Sequence, residues 1–304
     1  MKEPRRKEVP DTDRHLNVIK IAVFFLLCSM IAALGPTTYL LLHDAEINAF
    51  LGAFKSVSLL MSNSVYGSIQ RKITMGNLVN AMFIGAFETS KDQILPNFTF
   101  VNFEDSMVAL GTVADLRYIA FAPLVNSTTR DGWEAYAKKN VYKLNGPPSL
   151  NTSINGSWTV ADGIYNLSSS GKRSRDRRYP WYQSSHPHWM FPVWQVAPIA
   201  QNADLVMLDS YAVTFENRHR SVEQVLKYMR PVFTNFVQFV QDSNTQKRPS
   251  TILFSPILST TDGDNIVGLS SGGFSWDAML SGILNVDYKQ VNCVITADRK
   301  FIFS

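Results

Sequence analysis

The sequence predicts an α+β fold behind a single N-terminal transmembrane helix. Three observations predict it. An uncharged apolar run extends from Ile21 to Leu42, apolar residues then recur at three- and four-residue steps from Ile47 to Leu60, and from residue 98 onward short apolar segments alternate with helical ones. The 304 residues are 45% hydrophobic and 18% charged, a globular composition with enough apolar material for a sizeable core. The net charge is +4, but much of the excess sits in two runs, Arg5–Arg6–Lys7 and Lys172 to Arg178. Neither run is interleaved with aromatics on a regular surface, which argues against a nucleic-acid partner.

The apolar run, IAVFFLLCSMIAALGPTTYLLL, spans roughly 33 Å as a helix, enough for a hydrocarbon layer of about 30 Å. A helix satisfies its own backbone groups, which lipid cannot do. Gly35 and Pro36 are expected to kink the helix or end it early. Lys2, Arg5, Arg6, Lys7, Arg14 and Lys20 precede the run, and His43, Asp44 and Glu46 follow it. The positive flank places residues 1–20 in the cytosol and residues 43–304 in the extracellular or lumenal space. A cleaved signal peptide is the competing reading, but the run is longer than its usual apolar region and continues through Leu40–Leu42 beyond the Ala32–Ala33 cleavage zone.

Residues 45–90 read as one or two helices with breaks near Gly67 and Gly76. Phe98 to Phe103 and Asp115 to Leu124 read as strands around a turn-rich stretch, and Asp131 to Asn140 as a short helix. Residues 145–190 read as loop, and 192–199 (PVWQVAPI) as a strand. Asn217 to Asp242 reads as a long helix kinked at Pro231. Strands follow at Ile252 to Leu258, Ile266 to Leu269 and Val291 to Ile295, with a helix at Trp276 to Leu284.

Five N-x-S/T sequons, Asn97, Asn126, Asn151, Asn155 and Asn166, all follow the apolar run, which predicts a glycosylated outer domain. Cys28 lies within the run and Cys293 in the outer part, so the two are not expected to pair.

Residues 268–272, GLSSG, fit the nucleophile-elbow pattern with Ser270 at its centre. None of the five histidines (His15, His43, His186, His188 and His219) follows Ser270, as the Ser, acid, His order requires. The stretch therefore reads as a glycine-rich turn between a strand and a helix. His186–Pro–His188 has no CxxC or HExxH companion, so no metal site is expected. There is no Walker loop and no G-x-G-x-x-G, and no cofactor or catalytic residue is assigned. Arg175–Asp176–Arg177–Arg178 fits a basic cleavage pattern in a loop. The aromatic-rich stretch supplies the candidate ligand-binding residues, Trp181, Tyr182, Trp189, Trp194 and Gln195, because ligand pockets combine aromatics with a few polar groups; core packing accounts for the same residues.

Several motifs occur in order: Arg117 to Val125 (RYIAFAPLV), Trp133–Glu134–x–Tyr136–Ala137, Pro192 to Pro198 (PVWQVAP), Phe254–Ser255–Pro256–Ile257, Ile266–Val267–Gly268 and Phe274–Ser275–Trp276. Together they resemble the extracellular, CHASE-like sensor region of receptor-type nucleotide cyclases of diatoms and related protists, over nearly the whole chain. The resemblance implies Cache- or PAS-like sheet modules behind the first span, with a second span and a cytosolic guanylate or adenylate cyclase domain following in the full-length family. The chain ends at Ser304 with neither a second apolar run nor a catalytic domain, and it lacks a second cysteine that the family tends to carry near Cys293.

The expected plan is a cytosolic tail (1–20), a transmembrane helix (21–42) and an extracytoplasmic CHASE-like sensor domain (43–304). Its expected partners are the lipid bilayer through residues 21–42, an extracellular small-molecule ligand and a second copy in a homodimer. The rival readings are a type II membrane-anchored lumenal enzyme and a surface adhesion protein. No spacing among Asp204, Asp209, Asp262 and Asp264 singles out a catalytic pair.

Overall fold

The computed structural model describes residues 12–89, 95–147, 150, 159–167, 173–174, 188–212, 216–237, 239, 248–259 and 265–284. Val291–Ile295, Trp181, Tyr182, Asn151, Asn155, His186 and Cys293 lie outside them. The chain divides into two units, residues 1–63 and 64–304. Helix α1 (Thr12–Thr89) contributes residues to both.

In the first unit every described side chain from His15 to Ser56 is exposed. Phe24, Phe25, Ile31 and Leu41 show 64, 68, 72 and 72% of their surface. An 18-residue window in this helix has a mean hydropathy of 2.4 and no buried residue, so the helix is long and apolar enough to cross a membrane. The helix does not end at Gly35–Pro36, contrary to one expectation. Proline removes one backbone donor, and Thr37 Oγ1 beside the gap bonds back to the carbonyls of Ala33 (2.6 Å) and Leu34 (3.1 Å).

In the second unit α1 runs on to Thr89 without the breaks expected at Gly67 and Gly76. The chain continues through α2 (Phe103–Ala114), β1 (Tyr118–Pro123), β2 (Val125–Asn126) and α3 (Arg130–Asn140). Then come β3 (Asn166–Leu167), β4 (Arg173–Ser174), β5 (Trp189–Met190), β6 (Gln195–Ala197) and α4 (Ile199–Asn202). The remainder is α5 (Glu216–Tyr228), β7 (Val232–Phe233), β8 (Ser250–Leu258), β9 (Ile266–Ser275) and α6 (Trp276–Leu284). The architecture is mixed α+β. Its main sheet has five strands in the order β6-β1-β9-β8-β7, all antiparallel.

Register fixes what each face carries. Ile119 pairs with Gly272 and Phe121 with Ser270, while Leu253 and Ser255 of β8 pair with the same two β9 residues. Alternation puts all six on one face. That face meets α1: Phe83 lies over Phe121 with ring centroids 3.7 Å apart, and Asn80 bonds to Ser270 Oγ at 2.6 Å. Tyr118 and Ser271 occupy the other face, toward α5, where Arg218 lies within electrostatic reach of Tyr118. Two glycines admit close approach within the sheet. A Cβ on Gly273 would stand 2.4 Å from the Tyr118 ring, and one on Gly268 would stand 2.9 Å from the Ala122 carbonyl.

Four sequence expectations are corrected here. Phe98–Phe103 is not a strand; Phe103 instead opens α2, whose N-cap Asn102 is left-handed and makes no side-chain cap bond. The helix expected over Asn217–Asp242 stops at Tyr228, where Met229 turns to φ 50° and Pro231 precedes β7. The expected strand at 266–269 runs on to Ser275. The GLSSG stretch is therefore the middle of β9 rather than a turn, because its glycines serve strand packing.

Candidate ligand-binding site

Of the candidate ligand residues, Trp194 and Gln195 are buried and Trp189 is half-buried in β5. Trp194 shows none of its surface. It meets Trp133 edge-on at 5.9 Å, and its Nε1 donates to Thr99 Oγ1 at 3.0 Å. Thr99 in turn bonds to the Tyr136 hydroxyl at 2.7 Å. Trp194 is thus a core residue whose one polar atom is satisfied.

Gln195 plays a different part. Its Oε1 accepts from the Phe100 N–H at 2.8 Å and its Nε2 donates to the Phe100 carbonyl at 2.9 Å. This two-way amide bond ties β6 to the segment entering α2. Between them opens a pocket of about 80 Å³, with Phe103, Leu144, Val196 and Ile199 at its apolar base. Its polar rim is Asn102, Glu104, Asp105, Lys143 and Asn145. Glu104 Oε1 accepts from the Ile199 N–H at 3.0 Å, which fixes that carboxylate in the wall. Asn102 and Asn145 both hold left-handed backbones, at φ 58° and 53°, a conformation that asparagine tolerates better than most residues. Asp105 and Lys143 bring opposite charges to one small cleft, so the rim can meet a ligand that carries both signs. The sequence reading picked out Gln195 among the lining residues but not the rim, because the rim's groups come from the start of α2 and the turn after α3, far from the aromatic stretch.

A second polar cluster lies behind the far face of the sheet. Asp209 is buried, and its Oδ1 accepts from the N–H groups of Phe191 (2.9 Å) and Tyr211 (3.0 Å). Burial pushes its carboxyl up to about 6, against those two bonds and the charges of Arg130 and His219. The His219 ring stacks on Tyr211 at 4.7 Å, and its Nδ1 bonds to the Tyr211 carbonyl. Arg218 is buried near Tyr118 and Tyr165; burial pushes its guanidinium down and raises the Tyr118 hydroxyl to about 12. Arg130 pairs with Glu134 at 2.8 Å and donates to the Ile164 carbonyl at 3.3 Å. These groups tie the loops around β5 and β6 to α3 and α5.

Ser270 sits in mid-strand with its hydroxyl bonded to Asn80. Among the described residues no three His, Cys, Asp or Glu side chains converge as a metal site. Of the described sequons, Asn97 and Asn126 are half-buried and Asn166 is only 9% exposed; the Oδ1 atoms of Asn97 and Asn166 are both buried without a partner among the described residues. Cys28 is exposed.

A family model, that of the CHASE domain, matches residues 98–300. Among curated proteins the chain has no match.

Proposed function

The chain belongs to the CHASE domain family, and from that premise we propose that it is the membrane-anchored, extracytoplasmic sensor of a receptor, with its small-molecule ligand held at the pocket beside Gln195. CHASE domains are sensory, ligand-binding regions of signal-transducing proteins, and the match over residues 98–300 carries the reading. The apolar, fully exposed stretch of α1 supports insertion in lipid through residues 21–42, and the basic N-terminal flank supports a cytosolic tail. The sheet, with its first and last strands adjacent at the centre and helices on both faces, supports a Cache/PAS-like module. The ordered motifs support a receptor-type nucleotide cyclase as the context. The sequons at Asn97 and Asn126 are the better exposed glycan acceptors.

The ligand class follows from the rim. Lys143 suits an anionic group and Asp105 a cationic one, about an apolar base, so the ligand is a small zwitterion. A ligand shifts the sensor only by its differential affinity for the two states. The test is thermal unfolding of the full chain in lipid nanodiscs with amino acids and betaines. One of them is expected to stabilise the domain by about 2–3 kcal/mol at a hundredfold excess over Kd. Lys143→Ala and Asp105→Asn should each abolish that gain. Stabilisation that survives both substitutions would rule out this pocket.

A further inference from the structure

The α1 face of the sheet holds a second cavity, of about 70 Å³, chemically unlike the first. Its floor is Phe83, Phe121 and Ile257, each no more than 2% exposed. Its walls include Phe87, Leu95 and Leu258, all half-buried. Among the described residues no charged side chain lines it, and the Ser259 side chain is the one hydroxyl. A cavity needs only about 10–15 Å³ to hold one water, but a water also needs two or more polar partners, and an apolar cavity stays dry and takes up hydrocarbon instead.

We propose that this cavity is a second ligand site, specific for a small uncharged aromatic molecule. Three phenylalanine rings meet there, from α1 and β1, and Phe83 also packs edge-on against Phe98 at 5.1 Å. Rings so arranged offer both faces and edges to a guest ring, and aromatic pairs gain from such contact beyond the area they bury. A charged guest would lose its hydration with no counter-charge among the described lining residues to meet it. The occupant bridges the last turns of α1 and the sheet. It therefore senses how closely these two elements approach, and it shares no residue with the polar pocket.

The probe is para-fluorobenzyl alcohol, followed by its fluorine resonance with the full chain in lipid nanodiscs. Partition into lipid is the same for every variant, so the site is read from the difference between variants. Leu258→Trp and Val267→Phe each fill the cavity from a half-buried wall position, and each variant is first shown to keep the wild-type melting temperature. Saturable binding by the wild type, weakened about tenfold or more in both filled variants, is the expected result. Equal binding in the wild type and both filled variants, or no saturable component in the wild type, overturns the proposal. Decanoate displacing the probe at lower concentration than benzyl alcohol does would also overturn it, because the site would then select a chain rather than a ring.

Discussion

Ser270 donates its hydroxyl to Asn80 Oδ1 at 2.6 Å, and Asn80 Nδ2 donates in turn to the Pro256 carbonyl at 2.8 Å, so one side chain of α1 joins β8 and β9. All of these groups are buried, so removing the shared partner leaves polar atoms without compensation. Asn80→Ala is expected to cost about 2–4 kcal/mol, and Ser270→Ala about 1 kcal/mol. In the double variant the two costs should fall short of additive. Denaturant unfolding followed by tryptophan fluorescence measures all three.

Lys72 is the second polar residue on this face of α1. It is fully buried, donates to the Ala114 carbonyl at 2.9 Å and to Ser68 Oγ at 3.2 Å, and lies over the Phe274 ring at 4.8 Å. Burial lowers its pKa, with Arg71 adding to the shift and Asp115 opposing it. The folded state thus releases the proton more readily than the unfolded chain, and stability should rise with pH from the folded pKa up to the ordinary lysine value. Lys72→Met is expected to remove that alkaline rise. A rise that persists in the variant assigns it to other groups.

Asp209 titrates with the opposite sign in another window. Its carboxyl is raised from 3.8 to about 6, so the unfolded chain loses the proton first, and stability should fall as pH rises between those values. The effect amounts to about 3 kcal/mol at most. Asp209→Asn keeps an acceptor for the Phe191 and Tyr211 N–H groups while removing the titration. Melting curves from pH 4 to pH 7 should be flatter for the variant than for the wild type by that difference.

Gly273 tests the packing between β9 and β1. An added methyl would stand 2.4 Å from the Tyr118 ring and 2.7 Å from that of Phe239, both buried. Gly273→Ala is expected to cost about 1–3 kcal/mol by overpacking, read as a lower denaturant midpoint with an unchanged slope.

Asn126 combines a sequon with a turn, since its Oδ1 accepts from the Thr128 N–H and hydroxyl and from the Thr129 N–H. Expressed in a eukaryotic secretory system, the chain should lose one glycan on Thr128→Ala, read as a mobility step that disappears after endoglycosidase treatment. An unchanged mobility means that this sequon is not used.

What the sequence disclosed depended on pattern length. The apolar run, the short helix containing Trp133, and the strands expected at 252–258 and 115–124 carry strong local signals, and each appears within a few residues of its expected place. α2 was not legible because Gly111 and Thr112 weaken its propensity and its left-handed cap lacks the usual side-chain bond. β9 was cut short because its glycines, read locally, signal a turn; only the neighbouring Tyr118 ring and Ala122 carbonyl explain them as strand residues. Gln195 was singled out from its aromatic neighbourhood and lines the polar pocket, while Asn102, Asp105 and Lys143 were not singled out, since tertiary folding alone brings them to the same cleft.

Among the described residues the main sheet ends in β6, three residues long, on one side and β7, two residues long, on the other. Margins this brief offer an incoming strand almost no free backbone to pair with, which protects the domain against sheet-to-sheet polymerisation. If two copies meet in a membrane, edges this short favour recognition through helices or loops, leaving the hydrogen bonding of the described sheet internal to each copy.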